Sequence, residues 1–253
     1  MAEISLNQKI FDLSSKVSIV TGGGRGIGNA IAEGFRKSGS KVVILDKEFP
    51  LDYHDEFIMK TVDMGSEAEI DKTVLEINDE LKRIDVLVNC AGITIPNKSH
   101  EYTSDDWLKT MDVNLNGIFF ISKLVGNIMI DKKIQGSIIN LTSIGGEQGF
   151  PNNPAYCSAK GAIKQLTKAL AYDWGEYGIR VNNLVPGYTN TPMNIKSWED
   201  RKLREQRASS TMLNRWGETE EFIGPAIFLA SDASSYVTGS DLVVDGGWLA
   251  KGI

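Results

Sequence analysis

Histidine and cysteine are almost missing from this chain: His54, His100, Cys90 and Cys157 are all that 253 residues contain. None is spaced as a paired metal ligand, which argues against a protein zinc site, and no other metal is called for. Two cysteines are too few for a disulfide framework and suit a reducing, cytoplasmic setting. Positive charge is short as well, with 27 Lys and Arg against 33 Asp and Glu and a net charge of −6, so no broad cationic surface is expected for nucleic acid. No apolar run approaches the roughly 18 residues that would cross a membrane. The opening "MAEISLNQKIFDLSSK" lacks the basic start and apolar core of a signal peptide. Internal repeats, low-complexity tracts and linkers are also lacking, so one domain over 1–253 is expected.

What the chain does have is a rhythm. The short β-branched runs at 16–21, 41–46, 84–89, 136–142, 179–185 and 241–245 read as buried strands, with a weaker one at 57–63. They are apolar without strict alternation, as strands of a parallel sheet covered on both faces are. Helical patterns fall between them, near 27–38, 66–82, 104–131, 154–175, 197–209 and 219–230. This alternation predicts an α/β fold, a single-domain doubly wound parallel sheet with helices on both faces. The segment 189–216 interrupts the rhythm at a strand's C-terminal end, where an insertion would cover a site.

The first strand runs into "TGGGRGIGNAIAEGF". Gly22, Gly26 and Gly28 permit a tight turn, close approach of backbone to a pyrophosphate and close helix–sheet packing, and the helix N-terminus favours phosphate. The candidate cradle comprises Gly22, Gly24, Arg25, Gly26, Ile27 and Gly28, although its spacing is G-x-x-x-G-x-G rather than G-x-G-x-x-G. Asp46 ends the next strand eighteen residues beyond Gly28. A carboxylate there can accept both ribose hydroxyls of NAD and would repel a 2′-phosphate. Arg25 is the contrary signal, since a cation in the turn could meet that phosphate.

Taken together, "TGGGRGIG", "VD" at 62–63, "NCAG" at 89–92, Asn114 in "MDVNLNG", Ser143, "YCSAK", "PGYTNTPM" and "YVTGSDLVVDGG" stand in the order found in the short-chain dehydrogenase/reductase family, which the chain resembles along nearly its whole length. The C-terminal third looks like gluconate 5-dehydrogenase-like and related sugar-acid or polyol dehydrogenases, and is also similar to 3-oxoacyl-carrier-protein reductases. The resemblance implies a Rossmann fold, a homotetramer and a catalytic group of Asn114, Ser143, Tyr156 and Lys160. It implies that Asp63 and Met64 sit at the adenine, that Asn89, Ala91 and Gly92 lie along the cofactor, and that Pro186, Gly187, Thr189 and Thr191 flank the nicotinamide. Cys90 replaces the family's second asparagine, and Thr189 its usual valine or isoleucine.

Tyr156 and Lys160 are one helical turn apart and share a face, a pattern equally common in exposed helical pairs. A tyrosine with a pKa near 10 is a poor base at neutral pH, and a neighbouring ammonium together with a charged nicotinamide is expected to lower it. Tyr156 would then exchange a proton with the alcohol or carbonyl oxygen that Ser143 also holds. The resemblance gives Lys160 the cofactor ribose and Asn114 a supporting water. Near the site, Glu147, Gln148, Asn152 and Asn153 suit a polyhydroxylated substrate, or are loop polars facing water. Arg201, Lys202, Arg204 and Arg207 could reach a substrate carboxylate, although the mixed signs of "EDRKLREQR" read first as a solvated helical face. His100 and Tyr102 could line the mouth, and Cys157 reads as a small structural residue. The expected activity is NAD-dependent oxidation of a sugar acid, sugar or polyol. Its rivals are NADPH-dependent reduction of 3-oxoacyl thioesters and a nucleotide-binding regulatory or scaffold role.

Overall fold

Seven runs of backbone become strands and pair in parallel throughout a computed structural model that describes residues 9–50 and 56–251. In chain order they are β1 (Val17–Thr21), β2 (Lys41–Asp46), β3 (Ile58–Thr61), β4 (Val86–Asn89), β5 (Ser137–Leu141), β6 (Arg180–Pro186) and β7 (Asp241–Val244). Their order in the sheet is β3-β2-β1-β4-β5-β6-β7. The direction of winding reverses between β1 and β4, the switch point where such sheets open a crevice. His54 and the first residues of the chain lie outside the described residues.

The helices are α1 (Gly26–Lys37), α2 (Glu67–Leu81), α3 (Ser104–Met111), α4 (Gly117–Asp131), α5 (Pro154–Trp174), α6 (Ile195–Glu199), α7 (Arg201–Ser209) and α8 (Ile223–Ala230). Period-two alternation along the strands divides the apolar residues between two cores. Val43, Leu45 and Leu87 join α2, α4 and α5 on one face. Val42, Ile44, Val86 and Val88 meet Ile31 and Phe35 of α1 and Phe222 and Leu229 beside and on α8 on the other. The β-branched runs are therefore buried on both sides, as a parallel sheet requires.

Sequence expectations change in detail, and the helix expected near 197–209 divides at Asp200 into α6 and α7. The helix expected over 104–131 is broken by a π-helical stretch, Asp112–Asn116, between α3 and α4. The same region also corrects the expectation about apolar length: Ser104–Asp131 is long and apolar enough by composition to cross a membrane, with a mean hydropathy of 1.4 in its most apolar window. Half of that window is buried inside this protein, because Ile121, Val125 and Met129 of α4 belong to the core.

Candidate active site

Along the C-terminal edge of the sheet runs a cleft of about 1630 Å³, walled on one side by the insertion after β6. At one end is the glycine turn. Gly22 has φ +65°, and a Cβ there would stand 2.7 Å from the Ala91 backbone; a Cβ on Gly28 would stand 2.3 Å from the Gly22 carbonyl. Only glycine allows the turn, the start of α1 and the β4 edge to approach so closely. Arg25, at the N-cap of α1, makes no side-chain capping bond to the first-turn amides.

Asp46 faces this turn. Its Oδ2 accepts from the Gly24 amide at 2.9 Å and its Oδ1 from the Lys47 amide at 2.7 Å, which fixes the carboxylate at the rim of the cleft. Lys47 reaches across to Asp63 at 2.6 Å, and this bond, ahead of one from the Gly65 amide, holds the Asp63 carboxyl below its ordinary range. Arg25 is exposed and also lines the cleft. Of the residues expected along a cofactor, Gly22, Arg25, Gly26, Ile27, Gly28, Asp46, Asp63, Met64, Ala91, Gly92, Pro186, Gly187, Thr189 and Thr191 do line it. Gly24 and Asn89 are not among the lining residues. Gly24 acts through its bond to Asp46, and Asn89 is fully buried, donating to Ser122 at 3.0 Å and Asn140 at 2.8 Å. Cys90 keeps its place in spite of the changed side chain: its amide and that of Ala91 both donate to Thr21 Oγ1 at 3.1 Å. Burial pushes its thiol up to about 12, so it is a neutral packing group.

Ser143, Tyr156 and Lys160 come together midway along the cleft. Ser143 lies two residues beyond β5 and caps a short turn, its Oγ accepting from the Gly145 amide at 2.9 Å. Lys160 is buried, donates to the Leu141 carbonyl at 2.6 Å, and lies 5.8 Å from the centre of the Tyr156 ring. The electrostatics differ from the sequence expectation. Burial raises the Tyr156 phenol, with the Ser143 hydroxyl opposing, and burial lowers the Lys160 ammonium from 10.5 to about 8. The lysine alone does not turn the tyrosine into a base, because both groups share one dry site. Asn114 is fully buried in the π-helical stretch and is not among the lining residues. Its Oδ1 accepts from the Ile93 amide and its Nδ2 donates to the Ile93 carbonyl, each at 2.8 Å, so its side chain braces that segment.

At the far end, Asn153 lines the cleft with its Oδ1 taking the Thr94 hydroxyl at 2.8 Å. Glu147 is not among the lining residues, and it pairs with Lys164, which also holds Asp241 at 3.1 Å. His100 and Tyr102 do not line it either. Of Arg201, Lys202, Arg204 and Arg207, Arg201 pairs with Glu205, Arg204 lies over Trp198, Lys202 is exposed outside the lining, and only Arg207 lines the cleft, where Lys196 joins it from the same insertion. The Cys157 Sγ accepts from the Phe150 amide at 3.4 Å.

With this geometry in view, likeness to known proteins can be weighed. A family model described as Enoyl-(Acyl carrier protein) reductase matches residues 22–249. The gluconate 5-dehydrogenase of Gluconobacter oxydans is 36% identical over 247 residues, covering 94% of this chain and 96% of its own. The NAD-dependent glycerol dehydrogenase of Listeria innocua is 35% identical over 249 residues, covering 96% and 97%. A gluconate 5-dehydrogenase from Burkholderia cenocepacia, solved in complex with NADP and tartrate, superposes with a TM-score of 0.90 at 33% identity over 97% of this chain and 100% of its own. The chain belongs to the short-chain dehydrogenase/reductase family. It is an oxidoreductase by that membership.

Within this dehydrogenase, sequence reasoning missed the aromatic wall of the far end. Phe150 stacks on Tyr188 at 6.2 Å between centroids, Trp248 meets both rings edge-on at 6.1 Å, and Tyr188 packs on Trp216 at 5.7 Å. These residues come from four separated segments, so no local pattern announces them. "PGY" after β6 was the nearest signal.

Proposed function

We propose that this protein is an NAD-dependent dehydrogenase that oxidises a secondary alcohol of a sugar acid, sugar or polyol, with Tyr156 as general acid and base. The observation that carries the reading is that Ser143, Tyr156 and Lys160 share one cleft with an Asp46-edged glycine turn. The residues fit a dinucleotide: added Cβ atoms would fill the cradle at Gly22 and Gly28, the first-turn amides of α1 lack a side-chain cap, and Asp46 stands where ribose hydroxyls need an acceptor. When bound, the nicotinamide supplies the hydride acceptor or donor.

The chain's own residues do the rest. Ser143 holds the substrate oxygen, its Oγ oriented by the Gly145 amide. Tyr156 takes the alcohol proton from that oxygen, or returns one to a carbonyl in the reverse direction. Lys160 binds the cofactor ribose from its position beneath the tyrosine ring, and Asn114 fixes the Ile93 backbone beside it. Because burial raises Tyr156 in the free protein, its ionisation depends on positive charge brought by the oxidised cofactor. Thr94, Asn152 and Asn153 give the far end hydrogen-bonding capacity suited to hydroxyls rather than to an acyl chain. NADP-bound relatives and the exposed Arg25 favour the other cofactor; Asp46, positioned by two amides, is the stronger argument for NAD. Absorbance of NADH during incubation with a panel of sugar acids, sugars and polyols, each with NAD and with NADP, tests the reading. Equal or better catalytic efficiency with NADP would refute the cofactor assignment, and no turnover on the panel would count against the activity.

A homotetramer in a reducing cytoplasm completes the proposal. Trp107, Phe119 and Tyr172 leave apolar surface exposed on α3, α4 and α5, while Tyr236 and Val243 do so before and on β7. Two patches suit two isologous interfaces. Sedimentation showing a stable monomer at micromolar concentration would refute it.

A further inference from the structure

We propose that Arg207 is the carboxylate receptor of this site, so that the substrate is a hydroxy acid rather than a neutral sugar or polyol. The inference rests on the reading of the cleft as an alcohol-oxidising site and deepens it. The guanidinium lies 4.8 Å from the centre of the Tyr188 ring and 5.7 Å from that of Trp216. A contact of cation with ring uses none of the guanidinium N–H donors in a hydrogen bond. Among the described residues no carboxylate lies within ion-pair distance of it, and its side chain donates no hydrogen bond, whereas Arg36, Arg83, Arg201 and Arg215 all have acidic partners. A half-buried arginine with an idle planar fork in a cleft is matched by a planar, bidentate anion.

The surroundings favour the same ligand. Tyr188 follows Pro186 and Gly187 at the end of β6, and its ring stacks on Phe150, whose amide is tied to the Cys157 thiol beside the catalytic tyrosine. The aromatic wall therefore joins the arginine to the chemical centre. Trp216 is buried and its Nε1 donates to the Arg204 carbonyl at 3.0 Å, so the platform under the guanidinium is rigid before any ligand arrives. The charged side chains that the insertion brings to the lining are Lys196 and Arg207, both basic, while the acids of the cleft, Asp46, Glu48, Asp63, Asp105 and Asp112, come from other segments. The one acid the sequence had offered, Glu147, is paired with Lys164 outside the lining. An anionic substrate thus meets two cations from the insertion, and Asn153 and Thr94 are at hand for its hydroxyls.

The test uses matched ligands that differ only at one end: five- and six-carbon aldonates, gluconate among them, and the corresponding alditols, such as sorbitol. Each is titrated into the NADH-bound protein by tryptophan fluorescence, and each is assayed for turnover with NAD. The expected result is tighter binding of the acid of a pair, and a loss of that acid-to-alditol preference by about 10- to 100-fold in Arg207→Gln. Arg207→Lys keeps the charge but loses the fork and should fall between the two. Added salt should weaken the acid more than the alditol. An unchanged preference in Arg207→Gln, or no preference for the acid in any pair, overturns the inference while NAD-linked turnover of alditols would leave the proposed activity standing. Conversely, Arg207-dependent binding of an acid with no turnover would sustain the receptor and refute the activity.

Discussion

Lys160→Met should stabilise the fold while abolishing dehydrogenase activity. In the folded protein the ammonium is only 4% exposed, and burial brings it from 10.5 down to about 8. That drop corresponds to about 3 kcal/mol against the charged form at pH 7. Its hydrogen bond goes to the Leu141 carbonyl at 2.6 Å, and the Tyr156 ring centre lies 5.8 Å from the ammonium. Methionine removes the charge, retains an unbranched apolar stem, and leaves that carbonyl without this donor, which costs about 1–2 kcal/mol. The net gain is about 1–2 kcal/mol at neutral pH. Its pH dependence has a definite sign. Below pH 8 lysine is charged in both folded and unfolded chains, so the burial penalty is fully present. Between about 8 and 10.5 the unfolded chain holds a proton that the folded one has released, so wild-type stability rises with pH relative to the variant. Urea unfolding followed by tryptophan fluorescence, without cofactor and at one protein concentration, should show the variant ahead at pH 7 and the gap closed by about pH 10. A variant less stable at pH 7, or a gap that does not change with pH, would refute this electrostatic account of the site.

Tyr156→Phe keeps the ring but removes the transferable proton, so the chemical step should slow by about 10² to 10⁴, with NADH affinity by fluorescence titration little changed. Near-full turnover in that variant would end the general acid–base assignment. Asp46→Ala should lower the ratio of kcat/KM for NAD over NADP by at least about tenfold, roughly the worth of one charge-assisted contact; steady-state kinetics with both cofactors checks it. Glu147→Gln should leave substrate KM unchanged and lower stability by about 1 kcal/mol, because the carboxylate serves Lys164 rather than the cleft. A several-fold rise in KM would return Glu147 to the substrate.

How far the sequence disclosed this site depends on whether a residue's role is set locally. The strands, the glycine turn and Asp46 could be read because adjacent residues decide them: apolar runs, a turn only glycine permits, and an acid at a strand end. The π-helical stretch could not. "MDVNLNG" contains no proline, and the irregularity precedes Gly117, where a Cβ would stand 2.0 Å from the Met64 carbonyl, a contact made across the fold. Glu147 and Asn153 looked equivalent as loop polars, and only Lys164 on α5 and Asp241 on β7 separate them. Arg207 was one of four cations in a mixed-sign helix, distinguished from the rest by aromatic rings that the chain supplies from 188 and 216.

The interior of the sheet shows why the positions of these groups can be held so closely. Asn89, Asn140 and Asn183 lie in register on β4, β5 and β6, and each is fully buried. Asn89 donates to Asn140, Asn140 donates to Thr167 on α5 at 2.8 Å, Thr167 donates to Asn183 at 2.7 Å, and Asn183 donates to Asp241 at 2.7 Å. The same three strands lead into Ala91–Gly92, Ser143 and Gly187, and the same helix carries Tyr156 and Lys160. A directional ladder fixes strand ends against one another and against that helix in a way that interchangeable apolar contacts do not. It has an energetic drawback, since Asn89 Oδ1 is buried with no hydrogen-bond partner among the described residues, a loss of about 1–3 kcal/mol. That orphaned acceptor and the buried ammonium of Lys160 are of one kind. Both weaken the fold at the place where the proposed proton and hydride transfer requires polar groups at fixed positions.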